Sequence, residues 1–180
     1  MNQKGIAPLA IVAIVVVAAV VVGVAVLVAT RGEGGAPGGE GGEGGEGGGV
    51  GTANSLDYKV DMTGPEIGTI TSRFRVRNIG TANMDMRVDM TAAGMTMSYI
   101  LSGSQHEGWV KPNGGWVSFS SFGLDFDEQW NQQSGAFEQY TDYLANWTSG
   151  EWSGTFGGYT YRIYEVRVNP SLGDDVFQPS

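Results

Sequence analysis

The stretch 81-TANMDMRVDMTAAGMTMSYIL-101 decides the fold of this 180-residue chain. It places five methionines between positions 84 and 97, all at every-other spacing within two short runs. Side chains along a β-strand point alternately to opposite faces, so the runs predict two strands joined by a turn at residues 92–94. The methionines share one face of this hairpin, and Asp85, Arg87 and Asp89 lie on the other.

The same alternation extends the predicted sheet on both sides of the hairpin. Residues 56–62 and 70–77 alternate in the same way, and a turn at residues 112–115 separates two tryptophan-bearing segments. We expect Gly80 to centre the hairpin that precedes Met84, a register that would place Arg75 opposite Asp85. The pattern predicts an antiparallel meander with one apolar face and one solvent-exposed polar face.

The second half of the domain changes period. Asp125 and Glu128 have the spacing of a capping box that opens a short helix. Residues 136–147 place apolar side chains at helical spacing, and residues 158–170 return to a strand pattern that ends at Pro170. The sequence therefore predicts an α+β fold in which helices cover one face of an antiparallel sheet.

Two segments precede this domain. Residues 6–30 form an uncharged apolar run, long enough as a helix to cross a bilayer core of about 30 Å. A cleaved signal peptide is the rival interpretation, but the run is long and ends in a poor cleavage site. The expected organisation is a short cytoplasmic N-terminus or leader (1–5), a transmembrane helix (6–30), a flexible Gly/Glu linker (31–51) and an extracytoplasmic domain (52–180).

Composition excludes several classes of function. The net charge of −9 opposes nucleic-acid binding, and the absence of cysteine excludes disulfides and thiol chemistry. The single histidine, His106, has no second imidazole for a zinc site and is expected on an exposed strand. Helix capping explains Asp125, Asp127 and Glu128 better than calcium binding does. We therefore expect no cofactor, no metal and no catalysis.

The methionine face has two interpretations, which the spacing leaves open. Helix and sheet could close into a dry core, or they could enclose a groove for a flexible hydrophobic or lipidic ligand, which unbranched thioether side chains suit. The residues that would line such a groove are Met84, Met86, Met90, Met95, Met97, Tyr99 and Leu101 from the sheet, with Phe137, Tyr140 and Leu144 from the helix. Asn146, in an N-x-T sequon, is a candidate glycosylation site.

Two segments together resemble a known superfamily. The pattern 84-MDMRVDMTAAGMTMSYILSGSQHEGWVKPNGGWVSF-119, followed by 161-YRIYEVRVNPSLGDDVFQPS-180, is similar to the LolA-like/LppX-like extracytoplasmic lipoprotein carriers, in particular their membrane-anchored archaeal versions. The resemblance covers most of residues 56–178. It implies a curved sheet forming a half-barrel, helices on the concave face, and a bound lipid or acyl chain. The chain lacks a lipobox cysteine, so it is not expected to be a carrier in the strict sense.

The N-terminus carries a second resemblance. The segment 3-QKGIAPLAIV-12 is similar to the class III signal of archaeal pilins, in which cleavage follows the glycine, here Gly5. This resemblance implies self-association through the apolar helix and a cell-surface filament. We expect a membrane-anchored, non-catalytic binding module, with a pilin-like filament subunit as the alternative.

Overall fold

A computed structural model describes residues 53–65, 67–112, 114–134, 151–156 and 158–180. Two helices, α1 and α2, and a 3-10 helix accompany eight strands within these ranges. The elements are β1 (Ser55–Gly64), β2 (Gly68–Arg77), β3 (Asp85–Ala92), β4 (Met95–Ser102), β5 (Glu107–Pro112), β6 (Val117–Ser118), α1 (Phe119–Phe122), α2 (126–134), β7 (Trp152–Phe156), β8 (Tyr159–Val168) and the 3-10 helix (Asp174–Phe177).

The predicted membrane span at residues 6–30 lies outside the described ranges, as do the linker and the predicted helix at residues 136–147. Within the described ranges, every helix is too short or too polar to cross a bilayer.

All eight strands form one antiparallel open sheet in the order β6-β5-β4-β3-β2-β1-β8-β7. Strands β1 to β6 follow one another across the sheet as a meander, because each is joined to the next by a short connection. The chain then returns to the free edge of β1, where β8 pairs with it and β7 lies outside β8. This arrangement confirms the prediction of an α+β fold built on an antiparallel sheet.

The hairpin quoted at the outset forms as predicted. Ala92 pairs with Met95, so the turn consists of Ala93 and Gly94. Both residues have positive φ, 48° and 79°, which is the backbone of a two-residue turn matched to the twist of the strands. Glycine adopts this conformation without strain, and alanine adopts it at a cost.

The predicted register of the preceding hairpin is wrong by two residues. Arg75 lies opposite Arg87, and Asp85 lies opposite Arg77. The connection turns about Thr81 rather than Gly80, because the Thr81 N–H and hydroxyl both donate to the Asn78 carbonyl, at 3.2 and 2.8 Å. A shift of two leaves every side chain on its predicted face, so the assignment of faces survives the error.

The apolar parity of each central strand is buried over most of its length. Tyr58 stacks on Phe74 with ring centroids 4.9 Å apart, at the centre of this face. The buried side chains of the face are Leu56, Tyr58, Val60, Met62, Phe74, Val76, Met86, Val88, Met90, Tyr99, Leu101, Val110, Tyr161 and Ile163, with Met84 and Phe119 packed beside them.

Helices α1 and α2 pack against one side of this core. Phe119 of α1 is buried, and the partly buried side chains of Phe126 and Trp130 of α2 pack against the core. Asp125 caps α2, since its Oδ1 accepts a hydrogen bond from the Glu128 N–H at 2.9 Å. This confirms the predicted N-cap and the start of the helix.

Gly108 of β5 provides a test of how closely Phe119 of α1 packs against the sheet. A Cβ at this position would lie 2.3 Å from the Phe119 ring, whereas one at Gly115 would meet nothing within 4 Å. We expect Gly108→Ala to lower the free energy of unfolding of the detergent-solubilised full chain by about 1–3 kcal/mol, through overpacking. The control Gly115→Ala is expected to stay within about 0.5 kcal/mol of wild type in the same denaturant titration. Equal stabilities for the two variants would contradict the close contact.

Candidate functional site

The structure divides the predicted ligand-binding residues into two groups. Met84, Met86, Met90, Tyr99 and Leu101 are buried, none more than 5% exposed. Met97 is half-buried, and Met95 is 45% exposed. The remaining candidates, Phe137, Tyr140 and Leu144, lie outside the described residues, as do Asn146 and Gly5.

Burial decreases along β2, β3 and β4 toward one end of the sheet, whereas Met62 of β1 and Tyr161 of β8 are buried at that same end. We call this the hairpin end; it is the end where the β1–β2, β3–β4 and β7–β8 connections lie. Along β2, Phe74 and Val76 are fully buried, while Ile70, nearer the hairpin end, is half-buried. Along β4 the exposed fraction rises from 0% at Leu101 to 45% at Met95. Ile67 and Tyr159 add two more half-buried apolar side chains at the hairpin end.

Three buried phenols lie within the apolar face, those of Tyr58, Tyr99 and Tyr161. The Tyr99 hydroxyl donates to the Met86 thioether sulfur at 3.8 Å, a weak acceptor. Burial raises the pKa of Tyr58 and of Tyr99 far above the usual value, so both stay neutral at physiological pH. Among the described residues, the apolar face therefore buries no ionised side chain.

The opposite, outer face is built from arginine–aspartate pairs. Arg73 donates from Nε and Nη2 to the two carboxylate oxygens of Asp57, at 2.9 and 2.8 Å. Arg77 donates from Nε and Nη2 to Asp85 Oδ2, at 3.0 and 2.8 Å. Both carboxylates are nearly inaccessible, Asp85 being 1% exposed. Burial alone would raise the pKa of Asp57, but the hydrogen bond and charge of Arg73, with Arg167 and Arg75, outweigh it and lower the pKa.

A C-terminal segment, residues 169–180, covers part of the outer face. Phe177 is buried beneath the Arg77 guanidinium, 4.6 Å from the ring centroid, and Ile100 is fully buried on this face. Arg87 Nη1 donates to the Val176 carbonyl at 3.2 Å, and Trp116 Nε1 donates to the Ser180 carbonyl at 3.0 Å. The prediction that the polar face is solvent-exposed throughout is therefore wrong where residues 169–180 cover it.

His106, the single histidine, lies beside the first turn of α2. His106 is exposed as expected, but it lies in the turn after β4 with a φ of 55°, not in a strand. Its Nε2 is 3.4 Å from Asp127 Oδ1, and its ring centroid is 4.4 Å from that of Phe126. No three His, Cys, Asp or Glu side chains of the described ranges are grouped as a metal ion would require.

The burial of two residues was not predicted from the sequence, although the residue pattern around each indicates it. Ile100 is an apolar residue on the polar parity of β4, which marks a position that something must cover. Gln133 follows Phe126 and Trp130 at helical spacing, so it falls on the core-facing side of α2. It is 1% exposed.

The two partners of Arg77 offer a matched test of the outer face. Asp85 is buried and also accepts hydrogen bonds from Ser102 and Ser104, at 2.6 and 3.2 Å, whereas the Asp174 side chain is 82% exposed. We expect Asp85→Asn to cost about 3–5 kcal/mol of unfolding free energy, because it leaves a guanidinium without its buried counter-charge. Asp174→Asn is expected to cost about 1 kcal/mol or less. Denaturant titration of both variants would contradict this account if their losses were equal.

Comparison of the chain with protein-family models, with curated proteins and with solved structures finds no match in any of the three. The LolA-like and prepilin-like resemblances therefore stay predictions. The function must be argued from the geometry of the two faces.

Proposed function

We propose that the chain is a membrane-anchored, extracytoplasmic binding module that holds a hydrophobic or lipidic ligand against the apolar face of its sheet, without catalysis. In this proposal the sheet curves into a half-barrel, its helices cover the concave face, and the ligand enters at the hairpin end. Residues 6–30 anchor the chain in the membrane, and residues 31–51 serve as the linker.

The observation that carries the proposal is the gradient of burial on the methionine face. A sheet face closed as a core is expected to be buried along its whole length, because exposed apolar surface costs about 25 cal/mol per Å². Here β2 and β4 are buried at Val76 and Leu101 but half-buried at Ile70 and Met97, and Met95 is 45% exposed. The gradient is confined to this side of the sheet, because Met62 and Tyr161 are buried at the same end of β1 and β8. The half-buried end suits an apolar ligand that completes the burial.

The residue types at the half-buried end favour an adaptable site. Methionine has no branch at Cβ and a polarisable thioether, so it repacks around ligands of different shape at low cost. Met95 and Met97 are adjacent on one face of β4, and Met97 lies opposite Met90 of β3. A ligand selected there would be recognised by shape and apolar area rather than by a set of hydrogen bonds.

The anchor and linker would keep the domain near a source of lipid. A flexible coil of about 20 residues has a root-mean-square reach of roughly 25 Å. Repulsion between its glutamates would extend such a linker further. The domain would thus sample the layer directly outside the bilayer, where a lipid-binding module meets its ligand.

The proposal predicts a loss of lipid when a charge is placed at the hairpin end. Met97→Glu keeps the length of the side chain but introduces a carboxylate on the apolar face. We expect native mass spectrometry of the full chain, extracted in mild detergent, to show lipid retained by wild type and at least tenfold less by this variant. Thr96→Glu, exposed on the other parity of the same strand, is the matched control and should retain lipid as wild type does.

Three results would contradict the proposal: no lipid on the wild-type chain, equal retention by all three proteins, or equal loss in both variants. Far-ultraviolet circular dichroism of each variant confirms that the sheet is formed before retention is compared. Met97→Leu, which keeps the apolar surface, is expected to retain lipid.

The alternative function, a pilin-like filament subunit, is favoured by one sequence feature, the segment 3-QKGIAPLAIV-12. It predicts cleavage after Gly5, so that Ile6 becomes the first residue. The measurement is the intact mass of the chain purified from its native membrane. Retention of residues 1–5 would contradict prepilin processing, and a mass that lacks them would support it over a simple anchor.

A further inference from the structure

The sulfur chemistry of this chain belongs to methionine alone, because the sequence contains no cysteine. Six of the seven methionines lie among the described residues, and Met1 lies outside them. A peroxide oxidises a thioether to a sulfoxide, which is polar where the thioether was apolar. A sulfur that solvent reaches reacts sooner than one inside a packed core, so the exposure of each methionine decides the order of reaction.

The fold divides the described methionines into two sets. Four of them are buried, none more than 5% exposed, namely Met62, Met84, Met86 and Met90. Met97 is half-buried, and Met95 is the one large apolar side chain that is exposed among the described residues, at 45%. Met95 and Met97 lie on the same face of β4, at the hairpin end. The two thioethers that solvent reaches are therefore neighbours at the candidate binding site.

We infer that Met95 and Met97 form an oxidation site, at which a peroxide converts the hairpin end from apolar to polar and thereby lowers its affinity for lipid. The effect on lipid rests on the proposed function, whereas the order of oxidation rests on the exposures alone. The hairpin end is thus the part of the sheet whose binding properties respond to an oxidant.

The reaction transfers one oxygen atom. The thioether sulfur attacks one oxygen of hydrogen peroxide, the O–O bond breaks as the S–O bond forms, and the departing hydroxide takes the remaining proton and leaves as water. The sulfur loses two electrons and the peroxide gains them. In register, Met97 lies between Met90 of β3 and Pro112 of β5, and neither side chain carries a hydrogen-bond donor. Covering a sulfoxide oxygen there with a hydrocarbon chain therefore costs free energy.

The fold confines this change to the hairpin end. Met86 is fully buried, and its sulfur accepts a hydrogen bond from the Tyr99 hydroxyl at 3.8 Å. Peroxide reaches such a sulfur when the sheet opens locally, which is rare for a core strand. Oxidation of Met95 and Met97 is therefore expected to leave the sheet folded, so that a loss of lipid reports the changed surface and not an unfolded chain.

The first measurement follows oxidation at each methionine. The full chain in mild detergent is treated with hydrogen peroxide for increasing times, catalase ends the reaction, and tandem mass spectrometry of its peptides locates each sulfoxide. We expect Met95 to react fastest and Met97 next, with Met84, Met86 and Met90 at least roughly tenfold slower than Met95. Equal rates at all five would overturn the inference, whatever the chain binds.

The second measurement is the lipid that co-purifies with the chain, counted by native mass spectrometry before treatment and after Met95 and Met97 are converted. We expect retention to fall about five- to tenfold in wild type. The double variant Met95→Leu/Met97→Leu keeps the apolar surface and lacks both thioethers, so peroxide is expected to leave its retention unchanged. Met97→Leu alone replaces it, with a smaller expected loss than wild type, if the double variant does not fold.

Undiminished retention by the oxidised wild type, or an equal loss in wild type and variant, would overturn the inference and leave the proposed function intact. Absence of lipid from the untreated wild type would contradict the proposed function itself, and the map of sulfoxides would still decide whether the hairpin end is the site of oxidation. Far-ultraviolet circular dichroism before and after treatment confirms that the sheet is retained.

Discussion

Alternation of side chains along antiparallel strands is the constraint on which the rest of this structure depends. It places Met86 and Val88 in the core and sends Asp85 and Arg87 to the opposite face of the same strand. The apolar face must then be shielded from water, and the charges of the outer face must be paired. The apolar face is packed by helices, and the outer face is neutralised by arginine–aspartate pairs and partly covered by residues 169–180. A slip of one residue in any central strand would exchange the two sets and break both faces at once.

The sequence predicted the faces of the sheet better than its register. Period two is visible within a single strand, so the buried parity of residues 84–90 could be read directly. The pairing of β2 with β3 depends on the hydrogen bonds of the loop between them, and the Thr81 contacts to Asn78 had no local signature strong enough to displace Gly80. The error was an even number of residues, so it changed which charges meet without changing which side chains are buried. The cap at Asp125 was predictable because it depends on residues three apart.

The candidate site was harder to predict, because its character depends on contacts between distant segments. The spacing predicts the same role for Met86 and Met97, as lining residues of a groove. Met86 is fully buried in the core, however, and Met97 is half-buried at the hairpin end. Ile100 is fully buried on the outer face, where the 3-10 helix Asp174–Phe177 lies near β3 and β4, and no periodic pattern connects these distant segments. The burial of Gln133 was not predicted, because the sequence analysis considered only the capping residues of its helix and not which side of it faces the core. Its helical spacing from Trp130 and Phe126 indicates that it lies on the same, core-facing side of the helix.

The position of β1 in the sheet has a consequence for how the chain assembles. β1 is an inner strand, held by β2 on one side and by β8 on the other, and the bond from the Ser55 N–H to Asn169 Oδ1 joins residues 114 positions apart. A chain that folds as it is synthesised can form the meander from β1 to β6 long before β8 exists. Throughout that interval the backbone of β1 presents unpaired N–H and C=O groups to any other extended segment nearby. The strand in the interior of the finished sheet is thus an edge strand for much of the time that the chain takes to emerge.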